Sequence, residues 1–272
     1  MERPICFYSD YGYEDDFAGT CRAVIACIAP SVRVIDVTHG LPERDVLAGS
    51  VVLRNTLPYM PERAVHLAVV DPGVGGPRPP IALRTGGDRL FVGPGNGLLV
   101  RAADADGGVA EAFVLSNDNL WLRPLSATFH GRDVFAPVAA HLAAGLPLDA
   151  VGRAVDPDGL ERIAMPEPRL LDDGLVATAV LVDRYGNVAL NIRGSNLETV
   201  RLRGAVEVVS SSERHLAHVA RTFTSVRPGD VVILVDSYGQ MAVAVNGGSA
   251  AEAFGLRAGD EVRLRRVGAS EA

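Results

Sequence analysis

A chain of 272 residues with 48% apolar and 22% charged side chains has the composition of an ordinary globular protein, long enough for one or two domains and for a large core. Its formal net charge of −7 argues against nucleic acid and other polyanionic partners, and the absence of lysine removes Schiff-base chemistry. Apolar runs such as 65–70 and 136–140 fall far short of the ~20 residues that span a bilayer, and no basic-then-apolar leader precedes the first strand-like run. Three cysteines without paired spacing, Cys6, Cys21 and Cys27, read as reduced core thiols, so a cytoplasmic location with no membrane partner is expected.

In chain order, residues 5–9 predict a short buried strand and 16–28 a helix stopped by Pro30. Residues 32–37 predict a second strand, 45–57 a second helix, 65–70 a third strand and 134–144 a later helix. Short apolar runs separated by helices point to a mostly parallel sheet covered on both faces. In such sheets the ligand crevice lies at the carboxyl ends of the strands. The polar clusters fall there: Asp10 after the first run, Thr38-His39 after the second, Asp71 after the third.

Residues 166–174, polar and holding two prolines, read as a linker. Beyond it the pattern changes to short strand-like runs at 175–182, 188–192, 206–209, 231–235, 241–245 and 261–265. They are broken by Tyr185-Gly-Asn, Arg227-Pro-Gly-Asp and Tyr238-Gly-Gln turn signals. The fold class expected is α/β: an N-terminal α/β domain over 1–166, with a central mostly parallel sheet, and a C-terminal antiparallel β-barrel domain over 173–272.

Four polar islands carry the candidate chemistry, and each has an ordinary structural explanation. Ser9-Asp-Tyr-Gly-Tyr-Glu-Asp-Asp16 holds four acids in seven residues. They suit helix capping, ribose or ammonium contacts, or a divalent metal. Val69-Val-Asp-Pro-Gly-Val-Gly-Gly-Pro-Arg78 lacks the lysine and spacing of a phosphate loop. Its glycines fit either a close approach to ligand or a tight turn with Asp71 and Arg78 paired on the surface. His130, in Phe129-His-Gly-Arg-Asp133, stands just before a helix and is either structural or catalytic. Asp183-Arg-Tyr-Gly-Asn187 and Asp236-Ser-Tyr-Gly239 are, taken alone, hairpin turns.

Taken in order, these islands with Val34-Ile-Asp-Val-Thr-His39, Phe91-Val-Gly-Pro-Gly-Asn-Gly-Leu-Leu99 and Asn191-Ile resemble one family across nearly the whole chain. It is the S-adenosyl-L-methionine (SAM) hydrolase (adenosine-forming) family, also called SAM hydroxide adenosyltransferases, whose relatives include the SAM-dependent fluorinase and chlorinase. The resemblance implies a homotrimer whose sites lie between the N-domain of one subunit and the C-domain of its neighbour. It implies hydrolysis of SAM by water attack at C5′, giving adenosine and L-methionine, with no metal and no cofactor.

The family's hydrolase set falls by motif position on Asp71, Arg78 and His130, where the halogenases carry tyrosines at the positions of Asp71 and His130. A halide ~4 Å from a carboxylate is repelled by roughly 4 kcal/mol at an effective dielectric of 20, whereas water is not. Substrate contacts carried over are Asp10 on both ribose hydroxyls, Asp15 and Asp183 facing the ammonium, Ser237 the carboxylate and Asn187 the adenine. Two positions depart from the pattern. Arg44 stands nearest to a tryptophan of the halogenases, and Tyr238 replaces a frequent arginine. The rival readings are a SAM-dependent halogenase, a non-catalytic SAM- or adenosine-binding protein, and a metal-dependent phosphohydrolase built on Asp10, Asp15, Asp16 and His39.

Overall fold

The computed structural model describes residues 2–194 and 202–267. The chain divides into two compact units, 1–163 and 164–272, each with its own core.

The first unit is built on a seven-stranded sheet. Strands β1 (Ile5–Ser9), β2 (Val34–Thr38), β3 (Val65–Val69), β4 (Pro80–Thr85), β5 (Leu90–Pro94), β6 (Val109–Val114) and β7 (Arg153–Val155) lie in the order β2-β1-β3-β5-β4-β6-β7. The first four in that order are parallel and the β4, β6 and β7 pairings are antiparallel. Successive side chains of a strand point to opposite faces, and here both faces are buried. Ile5 and Phe7 pack with Cys21 and Ile25 of helix α1 (Phe17–Ile28) and with helix α4 (Ala136–Ala143). Cys6 and Tyr8 pack with Leu53 of helix α2 (Val46–Thr56) and with helix α3 (Val100–Asp104). Burial pushes the Cys6 and Cys21 thiols up to about 11 and about 12. Cys27 departs from the core-thiol expectation: it is exposed, off the Ala18, Cys21, Ile25 stripe that α1 buries.

The antiparallel half of this sheet is not predicted from the sequence, because β4 and β6 mix polar and apolar residues and β5 runs straight into a glycine-rich loop. A parallel register sets Ser9 beside Val69 and Tyr8 beside Thr38. The loops after β1, β2 and β3 therefore leave the sheet at one edge.

The second unit comprises β8 (Arg169–Leu171), β9 (Gly174–Val182), β10 (Val188–Arg193), β11 (Ala205–Val209), β12 (Arg214–Val219), β13 (Val231–Val235), β14 (Gln240–Val245), helix α5 (Ala250–Phe254) and β15 (Glu261–Arg266). Seven of its strands close into a barrel through the β9–β10 pairing, with β8 added beside β9. Alternate residues such as Leu175, Leu190, Val206, Ile233, Val243 and Leu264 fill the interior. Two details correct the sequence reading. The barrel is antiparallel except for β12 and β13, which run parallel. Residues 169–171, inside the stretch read as a linker, form a strand. Among the described residues no helix is long and apolar enough to cross a membrane.

Candidate active site

The third strand ends at Val69, and the glycine-rich turn that follows folds Arg78 back onto Asp71. Arg78 Nε donates to Asp71 Oδ1 at 2.9 Å, and its Nη2 donates to Oδ2, giving a bidentate pair. The pairing half of the surface-turn alternative is realised, but not at the surface: only 9% of the Arg78 side chain and 6% of the Asp71 side chain are exposed. The same Nη2 also donates to His130 Nδ1 at 3.0 Å, and the guanidinium carbon lies 5.2 Å from the Phe135 ring centroid. The loop after β3, which holds both Asp71 and Arg78, is thus joined to the segment bearing His130 by one guanidinium.

This contact fixes the imidazole chemistry. A guanidinium only donates, so Nδ1 of His130 accepts and the proton of the neutral ring sits on Nε2. Burial, then the Arg78 charge, hold His130 below its ordinary value of 6.5, with Asp71 and Asp133 opposing. His130 is therefore a neutral N–H donor, and Asp71 is the acceptor left facing the cleft.

His130 opens a π-helical turn, Gly131–Phe135, that precedes α4. Such turns cluster at functional sites because they displace one residue out of the helical ladder. Here the hydroxyl of Tyr11 sits where a Cβ on Gly131 would fall, 1.9 Å from it, so only glycine admits the ring. On the facing loop Gly75, at φ +74°, is likewise closed off by the Ala127 carbonyl, 2.4 Å from where its Cβ would be. Asp133 cinches the 122–130 segment by accepting Ser126 N–H at 2.8 Å and both Arg132 N–H groups. Burial pushes its carboxyl up, but these donors outweigh that and hold it below the ordinary range.

Asp71 and His130 line a cleft of about 540 Å³ with Asp10, Tyr11, Arg44 and Phe129. Tyr11, Phe17 and Phe129 pack mutually at centroid distances of 5.1–5.8 Å and make its apolar wall. Asp10 accepts the Arg44 N–H on Oδ2 at 2.9 Å, which leaves Oδ1 for a ligand. Burial raises its pKa, the Arg44 N–H lowers it, and the nearby Glu43 and Asp71 charges raise it further. Arg44 adopts φ +59°, a left-handed conformation that costs a non-glycine residue about 1–3 kcal/mol. The backbone of Arg44 thus serves Asp10. Tyr11, Phe17 and Phe129 were missed as cleft residues in the sequence reading; the close-approach Gly131 beside His130 was the available signal.

The other acids of the first island do different work. Asp16 stands at the N-cap position of α1, but its side chain accepts the Thr20 hydroxyl at 2.8 Å and makes no cap hydrogen bond. Asp15 is exposed and outside the cleft lining. His39 is fully buried: its Nδ1 lies 2.7 Å from Ser9 Oγ, and its Nε2 lies 3.3 Å from Asp36 Oδ1, off the hydrogen-bond axis. Ser9 Oγ also accepts the Tyr11 N–H at 3.3 Å. This relay ties the loop after β1 to the loop after β2. The four residues of the phosphohydrolase alternative accordingly do not gather round one point. His39→Ala removes the hydrogen-bond partner of the Ser9 hydroxyl and a ring packed against Phe7 at 4.6 Å. It is expected to lower unfolding stability by about 2–4 kcal/mol in urea denaturation. A loss below ~1 kcal/mol rejects the relay as a structural element.

The C-terminal candidates meet elsewhere. Asp183, Asn187 and Ser237 line a cleft of about 290 Å³ in the barrel unit, beside Phe223, Val235 and Tyr238. Asp183 Oδ1 accepts the N–H groups of Tyr185 and Asn187, and Oδ2 accepts Asn187 Nδ2 at 2.7 Å. Asp236 repeats the device with Tyr238 and Gln240. Gly186 and Gly239 supply the same positive φ, 78° and 76°. Both islands are therefore hairpin turns, as their composition alone suggests, and Asp183 keeps one lone-pair position for a ligand cation.

Residues 5–152 match the N-terminal domain, and 177–263 the C-terminal domain, of the SAM hydroxide adenosyltransferases; the chain belongs to this family. It is 50% identical over 260 residues to the (R)-S-adenosyl-L-methionine hydrolase of Salinispora tropica, covering 96% of this chain and 97% of that protein. A crystal structure of a conserved protein from Thermotoga maritima superposes with a TM-score of 0.88 at 36% identity, covering 96% of this chain and 99% of the other. A fluorinase from Actinoplanes sp. is more distant, at 30% identity over 97% of each chain.

Proposed function

We propose that this protein hydrolyses S-adenosyl-L-methionine to adenosine and L-methionine by in-line attack of water on C5′. The observation that carries this reading is a cleft lined by Asp10, Asp71 and His130, with Arg78 hydrogen-bonded to both Asp71 and His130. The sulfonium leaves as a neutral thioether, so the leaving group needs no acid. Water supplies the new C5′–O bond, the C5′–S electron pair passes to sulfur, and the water proton passes to Asp71. His130 Nε2–H orients the same water, while Arg78 holds Asp71 and keeps the imidazole in its donating tautomer. Asp10 takes the ribose diol through its free oxygen.

The Arg78 guanidinium offsets much of the Asp71 charge, so repulsion of a halide is weaker than a lone carboxylate predicts. The preference for water rests instead on Asp71 as a proton acceptor, which a halide cannot use. The fluorinase relatives make halogenation the alternative reading; chloride and fluoride are expected to yield no halogenated nucleoside. The Salinispora relative is named for the (R) form, and we take the (R)-sulfonium epimer as the substrate here. Incubation of each epimer in ¹⁸O-water tests the whole scheme: adenosine labelled at its 5′ oxygen from the (R) epimer is the expected product. Unlabelled adenosine, or none, defeats it.

Asp183, Asn187 and Ser237 lie in a separate cleft of the barrel unit, beside the exposed aromatic residues Phe223 and Tyr238. We assign them to the amino-acid and adenine ends of a substrate bound in a neighbouring subunit of a homotrimer; the role of Asp15 at the ammonium belongs to the same proposal. We assign the two domains to 1–166 and 173–272, and we place the protein in the cytoplasm, acting without metal or cofactor. Mixing inactive Asp71→Asn and Ser237→Ala subunits is expected to restore part of the activity, and no restoration removes the shared-site assignment.

The pH dependence follows from His130. Protonating Nδ1 sets an N–H against the Arg78 N–H, so activity requires the neutral ring. Because its pKa lies below 6.5, kcat is expected to stay level as pH falls to 6.5 and to drop only below it. For stability the unfolded chain takes up the proton first. The contribution of His130 is thus fully present above about pH 6.5 and declines as pH falls from there toward the folded value. A kcat that falls already between pH 8 and 7 contradicts the neutral-donor role.

A further inference from the structure

We propose that a second cleft on the N-terminal unit, walled by Arg54, Arg101 and Arg162, binds a phosphate group, free or carried by a small monoester. The cleft encloses about 470 Å³ and shares no lining residue with the catalytic cleft. Its one acid is Asp104, already paired with Arg162 at 2.6 Å. Neither Arg54 nor Arg101 makes a hydrogen bond or ion pair among the described residues, and the buried Nε of Arg101 has no partner.

Three guanidiniums against one carboxylate leave a local charge of about +2 in a chain with 33 acids and 26 basic residues. Helix-end electrostatics explain part of the placement, since Arg54 and Arg101 stand in the last turns of α2 and α3. They do not explain why three guanidiniums share one recess with a single carboxylate while acids are abundant elsewhere. Burial lowers the pKa of Arg101, so its charge is poorly served as the site stands. A bound anion relieves both penalties at once.

A dianion matches the net charge, and guanidinium forks suit phosphate oxygens. Val100 and Ile163 give the recess an apolar side on which the organic part of a monoester can rest. The strip bearing Arg162 and Ile163 is held in place because Ile163 fills the space over Gly97, 2.6 Å from where a Cβ would stand. The inference is independent of the reaction assigned above.

Calorimetric titration at constant ionic strength tests it, with inorganic phosphate and phenyl phosphate as probes. Saturable one-site binding is expected for the wild type. It should be weaker by about tenfold in Arg101→Gln and in Arg54→Gln, and tighter in Asp104→Asn, which removes the competing acid. Tighter binding of phenyl phosphate assigns the site to a monoester, and equal binding to free phosphate. Turnover should be unchanged in all three variants. No saturable binding, or identical affinity in the wild type and both arginine variants, overturns the proposal. The opposite shift expected for Asp104→Asn keeps the test decisive if one arginine variant fails to fold.

Discussion

Replacing Asp71 with asparagine is expected to lower kcat by about 10²–10⁴-fold while leaving KM within a few-fold of wild type. The amide keeps the shape of the carboxylate and one acceptor oxygen, but it cannot take a proton from water. Its NH₂ group also faces the Arg78 fork, so at least one of the two N–H bonds holding the loop is lost. KM is spared because the substrate contact assigned in this cleft is Asp10, whose oxygen is set by Arg44 and not by Asp71. Single-turnover release of adenosine from pre-bound substrate measures the chemical step directly. A variant that retains a wild-type chemical rate removes Asp71 as the acceptor and returns that role to His130 Nε2, against the tautomer the Arg78 contact imposes.

The second large effect belongs to stability. Arg78→Met strands the Asp71 carboxylate, of which only 6% is exposed, and leaves His130 Nδ1 without its donor. Breaking a buried pair from one side costs about 3–5 kcal/mol, and access from the cleft places this case near the lower end. Urea unfolding of Arg78→Met should therefore show a loss of about 3 kcal/mol. The double variant with Asp71→Asn should be more stable than the sum of the two singles, because the charge left unpaired by one change is removed by the other. Additive losses reject the pair as a coupled unit. Arg78→Lys keeps the charge without the fork and is expected to fall between.

Much of this site is legible in the residues themselves. Asp10, His39 and Asp71 follow three apolar runs, and a parallel sheet carries three such loops to one edge. Asp71 and His130 line one cleft with Asp10, and Arg78 is hydrogen-bonded to both Asp71 and His130. Less legible is what each polar group touches. The four acids at residues 10–16 look alike in sequence, yet Asp10 enters the cleft, Asp15 points to solvent, and Asp16 holds the Thr20 hydroxyl. His39 looks as promising as His130, but the fold buries it completely between Ser9 and Asp36.

The sequence alone determined the α/β first half, the β-rich second half and the short list of reactive side chains. These follow from local periodicity and from chemistry carried by single residues. Tertiary structure alone decided that β4, β6 and β7 run antiparallel and that β12 runs parallel to β13. It also decided that Tyr11 packs over Gly131, and which nitrogen of His130 bears the proton. Pairing direction depends on strands far apart in the chain, and a tautomer depends on the donor opposite it. In His130 that donor is Arg78, 52 residues away, which no local pattern encodes.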